Sequence, residues 1–211
     1  MRHIAQLVVL LFGVAMTYGA MAQEGLHRVD GFRSAQFGMN EQQVFEAIQR
    51  DFGVTEEQIE FLHNERESTY VMHVILPSLE PGPGTAHVYY ILGATSLTLM
   101  HINVLWMTSD SPSDAERDHI GVAGMQLARY FLERRWPPGS IQTGAVREGG
   151  EIVPFAGVDA SGAGVEVMVR GVPVTDANGQ TQYPQGQAML RVAYSQRYGR
   201  PDTIRVPAGE F

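Results

Sequence analysis

The chain has 211 residues, 15 basic against 23 acidic, a net charge of -8, 44% hydrophobic residues and no cysteine. Its composition excludes disulfides, thiolate metal centres and cysteine nucleophiles. Every basic residue is arginine, so lysine chemistry and a phosphate loop are excluded too, and no basic stripe suits nucleic acid.

Residues 1–22 read as a secretory signal peptide. Arg2 precedes an apolar stretch over 4–20, and Ala20-Met21-Ala22 has the small-x-small pattern of a cleavage site. A retained membrane anchor is the alternative for this stretch. Cleavage after Ala22 removes 22 of the 211 residues, leaves 189, and takes one arginine, giving 14 basic against 23 acidic. Size then allows one large domain or two small ones. The expected localisation is periplasmic or secreted, with no later run long enough to span a membrane.

The first helix is expected over 40–52. Asn40 caps it with Gln43 three residues on; Val44, Ala47 and Ile48 form its apolar stripe, and Gly53 ends it. A strand follows near 59–63. Three clearer strands come next, over 69–76, 85–92 and 98–107, broken by Gly and Pro.

Each of these three strands carries one histidine at an odd position: His73, His87 and His101. The even positions are the more apolar, so burying them turns all three rings to the other face together. Three neutral imidazoles converging there would hold zinc or copper with a coordination position open; no cofactor is expected otherwise. Parity leaves the slide between strands open. A two-residue shift separates the rings by about 7 Å.

The same odd face carries Val71, Ile75, Tyr89, Ile91, Leu99 and Leu105. That is too apolar for a wet surface, so either the second half of the chain or a partner must cover it. Val71, Ile75, Tyr89, Ile91 and Leu105 are the candidate partner-binding residues.

A second cycle begins at Ser113, which with Glu116 forms a capping box ahead of Ile120, Ala123, Leu127 and Phe131 at helical spacing. Strand-like runs follow over 141–147, 152–158, 165–172 and 188–195. The expected fold class is therefore α+β: two successive helix-plus-four-stranded antiparallel sheet units, 23–110 and 111–211, forming one compact body. Asp176-Ala177-Asn178-Gly179 starts like a calcium loop but lacks its later ligands, so a turn is expected. Arg134-Arg135-Trp136 reads as favourable charge at a helix C-terminus, or as an anion contact.

The stretches GFRSAQFGM, GPGTAHVYYILGATSLTLMHINVLW and RPDTIRVPAGEF resemble a group of uncharacterised exported bacterial proteins. The helix-then-sheet layout, used twice, resembles the β-lactamase inhibitor protein and the small outer-membrane assembly lipoproteins, although both differ in having cysteines. The resemblance implies a non-catalytic binding module for a protein or small ligand. The alternatives are a metal-binding protein using His73, His87 and His101, and a hydrolase with dispersed catalytic residues.

Overall fold

The computed structural model describes residues 25–175 and 178–204. The signal-peptide stretch, and Asp176 and Ala177 of the calcium-like turn, lie outside the described residues.

A short hairpin, β1 (Gly31–Phe32) and β2 (Ala35–Gln36), precedes helix α1 (Glu41–Phe52). The helix begins and ends where the sequence predicts. Asn40 Oδ1 accepts from the Gln43 amide at 3.0 Å, the Gln43 side chain accepts from the Asn40 amide at 3.0 Å, and Gly53 closes the helix in the left-handed region at φ 65°. Four strands follow as a meander: β3 (Ile59–Asn64), β4 (Thr69–Leu76), β5 (Ala86–Leu92) and β6 (Leu99–Met107). Helix α2 (Asp114–Leu132) is capped by Ser113, whose side chain accepts from the Glu116 amide.

Beyond α2 come two short pieces, β7 (Ile141–Gln142) and β8 (Ala145–Val146), then β9 (Ile152–Val158) and β10 (Gly164–Arg170). A small hairpin of β11 (Val174–Thr175) and β12 (Thr181–Gln182) leads to β13 (Met189–Ser195).

The expected pair of separate helix-plus-four-strand units is not what forms. The protein is mostly antiparallel sheet, 38% strand against 19% helix, and its principal sheet has nine strands. The order runs β3-β4-β5-β6-β13-β10-β9-β7, with β8 also on β9. The chain passes through α2 to the far edge, returns through β9 and β10, and inserts β13 beside β6. That junction is paired from Met189↔Met107 to Ser195↔His101. The physical reason is edge satisfaction: two separate sheets would each leave unpaired N–H and C=O groups at β6 and β13, and joining them removes both edges.

The main core runs along one face of the sheet, and a small second cluster of Val153, Ala156 and Met168 lies on the other. Val44, Ala47 and Ile48 of α1 and Ile120, Ala123, Ala128 and Phe131 of α2 share a buried cluster with Val74, Val88, Tyr90, Val104, Val167 and Val192. Both helices thus pack on the same face of the sheet. Gly124 of α2 lets the helix approach β10 closely, since a Cβ there would run into Val169.

On the opposite face the second half of the chain covers its own strands, where Val153, Ala156 and Met168 are buried with Tyr198 packed against them, but it does not fold back over β4–β6 and extends the sheet sideways instead. Among the described residues, Val71, Tyr89, Ile91 and Leu105 are half-buried there and Ile75 is 53% exposed. Leu99 departs from its expected face. The β5–β6 register shifts between Ile91 and Leu92, so Leu99 pairs with Leu92 and is fully buried in the core, while Met100 turns towards the other side. One extra residue in a bulged strand reverses the alternation locally.

Candidate functional site

Cross-strand pairing arranges the open face in rows. One row reads Glu60, His73, Tyr89, Asn103, Ala193, Glu166; the next reads Leu62, Val71, Ile91, His101, Ser195, Gly164; a third carries Ile75, His87, Leu105, Arg191 and Met168. The three histidines share this face, as parity requires, but they occupy three different rows. His87 lies opposite Leu105, four residues along β6 from His101, a separation of roughly 13 Å along the strand.

Two of the rings meet. His73 Nδ1 lies 3.0 Å from Glu60 Oε2, and His73 Nε2 lies 3.1 Å from His87 Nδ1. A carboxylate only accepts, so with both rings neutral His73 donates from Nδ1 and accepts at Nε2 from the His87 Nδ1–H. Tyr89 stacks on His73 with ring centroids 4.2 Å apart. Burial, then the neighbouring His73, push the His87 pKa below its ordinary value.

His101 stands apart. Its Nδ1 is 2.9 Å from Ser195 Oγ and its Nε2 is 3.3 Å from Asn103 Oδ1. Burial pushes its pKa down against the opposing effect of the Asn103 hydrogen bond. The three histidines are thus not brought into one cluster, since His73 meets His87 and His101 meets neither; among the described residues there is no group of three or more His, Cys, Asp or Glu side chains that could hold a metal ion.

A cleft of about 710 Å³ lies on this face at the β6–β13–β10 junction, lined among others by His101, Glu166, Ser195 and the arginines Arg147, Arg191, Arg197 and Arg200. Glu166 is its keystone. The carboxylate is 5% exposed and accepts from Arg147 Nη1 at 3.1 Å and Nη2 at 2.6 Å, from Arg191 Nη2 at 2.8 Å and from the Tyr198 hydroxyl at 2.8 Å. Burial alone would raise its pKa; hydrogen bonds from Arg147 and Tyr198, with the charges of Arg147 and Arg191, outweigh that and hold it below the ordinary carboxylate value. Burial and the same hydrogen bond push the Tyr198 phenol up to about 12.

Gly164 makes room for this arrangement. A Cβ at that position would lie 2.6 Å from the Tyr198 ring, so a side chain there would lift the phenol off Glu166. At the cleft's rim Asp202 accepts from the amides of Thr95 and Ser96, which fixes the chain after β13 across the β5–β6 turn. Arg197 and Arg200 are exposed, and among the described residues no hydrogen bond or ion pair engages their guanidinium groups. The Nε–H of Arg191 is buried with no partner.

No protein-family model, curated protein or solved structure matches this chain. Its chemistry must be read from its own residues.

The cleft joins residues that sequence reasoning passed over. Arg147, Glu166, Arg191 and Tyr198 share no motif spacing. The signal present was a charge in the middle of each of two strand-like runs, Glu166 in GVEVMVR and Arg191 in MLRVAYS. A charge within a strand destined for a core needs a partner, and these two supply each other's. Of the other candidates, Arg134 stacks over Tyr130 at 4.3 Å, Arg135 accepts the His27 amide through its carbonyl, and Trp136 is buried with its indole N–H donating to the Phe131 carbonyl. Asp159 accepts from the amides of Val29, Ser161 and Ala163, a turn-closing role.

Proposed function

We propose that the chain is exported and works as a periplasmic binding module whose ligand or partner seats on the open face of the nine-stranded sheet. Export is supported by the charged, apolar and small-residue succession of residues 1–22. The observation that carries the binding role is the composition of that face: half-buried Val71, Tyr89, Ile91 and Leu105 lie beside a cleft lined by four arginines, and no described element covers them. Apolar surface beside convergent charge is the usual make-up of a recognition surface.

The test is site-specific photo-crosslinking in exporting cells. A crosslinker at position 89 should give a discrete adduct, whereas one at Val122, which is 55% exposed on α2, should not. Equal labelling at both positions, or none at 89, would sink the reading.

A second reading, hydrolysis, is favoured by one arrangement. With Nε2–H of His101 directed at Asn103 Oδ1, its Nδ1 accepts the Ser195 hydroxyl proton, placing a nucleophile, a base and an orienting group in sequence at the cleft. Reaction of Ser195 with a fluorophosphonate, lost in His101→Ala, is the outcome this reading requires.

A further inference from the structure

Two concavities on the open face share one residue. The arginine-lined cleft of about 710 Å³ adjoins a shallower groove of about 530 Å³ whose floor includes Val71, Tyr89, Ile91 and Leu105, and Arg191 lines both. In the register, Arg191 stands directly opposite Leu105, so the apolar floor ends at a guanidinium. From β13 to β4 is three strand spacings, roughly 14 Å.

The charge balance at this junction opposes that of the whole protein. Arg147, Arg191, Arg197 and Arg200 face the carboxylates of Glu166 and Asp202, four positive against two negative, in a chain whose net charge is -8. Glu166 is saturated by Arg147, Arg191 and Tyr198, which fixes those two arginines in place. Asp202 is occupied by backbone amides. The surplus therefore resides on Arg197 and Arg200 at the rim, where planar forks suit a carboxylate or a similar anion.

We propose that this junction binds a small amphipathic acid, its anionic head at the arginine cleft and its apolar body along Val71, Tyr89, Ile91 and Leu105. The inference rests on the reading of the open face as the binding surface and names what that surface takes. Size favours a small molecule over a macromolecule, because both concavities fall within the roughly 300–1,000 Å³ of small-ligand sites. Charge favours an acid. The groove floor requires an apolar body, since a bare anion would leave it in water.

Calorimetric titration of the chain purified after export, using decanoate, acetate and decyltrimethylammonium below their micellar concentrations, tests this. Decanoate should bind at least tenfold more tightly than acetate, and decyltrimethylammonium should not bind. The double variant Arg197→Gln/Arg200→Gln changes only exposed side chains and should weaken decanoate about tenfold. Leu105→Ser should bring decanoate down towards acetate while leaving acetate unchanged. Equal binding of acetate and decanoate, equal binding of the cationic and anionic chains, or no binding of decanoate would each overturn the proposal. If the crosslink at position 89 survives any of those results, only the ligand class falls; if that crosslink is absent as well, the binding surface itself falls.

Discussion

Arg191 and Glu166, on neighbouring strands β13 and β10, are joined by a 2.8 Å hydrogen bond that makes the last described strand part of the cleft it completes. Arg147, from the far edge, closes on the same carboxylate through two further bonds. The ion cluster thus ties three strands together on the face that no helix supports.

Glu166→Gln should lower stability by about 2 kcal/mol, because it strips the countercharge from two arginines that stay in place. The figure sits below the full range for buried pairs since Arg147 and Arg191 retain 44% and 30% side-chain exposure. Urea unfolding checks it. Because the same change leaves the cleft more positive, anion affinity should not fall in parallel; a matched loss of both would mean that the carboxylate's main role is to position the arginines for ligand.

Gly164→Ala should disturb the cleft without replacing an ionisable group. The added methyl meets the Tyr198 ring at 2.6 Å and the Gly157 carbonyl oxygen at 3.0 Å, so the ring must move off Glu166. A cost of about 1–3 kcal/mol follows from overpacking of this kind. The phenol should then titrate closer to its ordinary value of 10.0, since burial and the Glu166 bond are what raise it. Ultraviolet titration of tyrosinate would show whether one phenol returns.

Stability should fall as pH drops through the histidine range. His27, His87 and His101 all have folded pKa values below the ordinary 6.5, in each case chiefly through burial. The unfolded chain therefore binds more protons than the folded one in this range, and stability rises with pH until the unfolded histidines are neutral. Urea midpoints should be level above about pH 7.5, decline as pH falls through the ordinary histidine value of 6.5, and decline again below the ordinary carboxylate value of 4.5 as protonation of the Glu166 carboxyl favours the unfolded chain. His101→Asn should flatten part of the first decline. A midpoint unchanged from pH 8 to pH 5 would contradict the burial assigned to these rings.

Alternation along the strands made part of this face legible in the sequence. His73, Tyr89, Ile91, His101 and Leu105 do share one side of the sheet, because burial of the even positions pins the face of each strand. Both helices were legible through their caps, which are local. The slide between strands was not: it is set by turn geometry, and it places His87 opposite Leu105 rather than beside His101. Nor was the junction of β6 with β13, since pairing Ser195 with His101 brings together residues 94 apart, and nothing local in either strand names its neighbour. That non-local pairing created the cleft and overturned the two-unit fold.

Joining the halves also decides what α2 must cover, and this can be tested by a double-mutant cycle. α2 packs on β9, β10 and β13, and at Gly124 the approach is so close that an added Cβ would overlap Val169 of β10. Gly124→Ala gains about 1 kcal/mol in helix propensity, yet overpacking at this contact should outweigh that and leave the protein about 1–2 kcal/mol less stable. Val169→Ala alone removes buried volume and should cost about 2 kcal/mol. Together the two changes add one methyl on the helix and remove two from the strand facing it, so the double variant should be more stable than the sum of the singles by at least about 0.5 kcal/mol, roughly the smallest coupling expected of residues in contact. Urea midpoints with an unchanged slope would measure this directly. Strict additivity would mean that the helix does not rest on β10 at this point, and would contradict a single helix layer that leaves the opposite face of β4–β6 free.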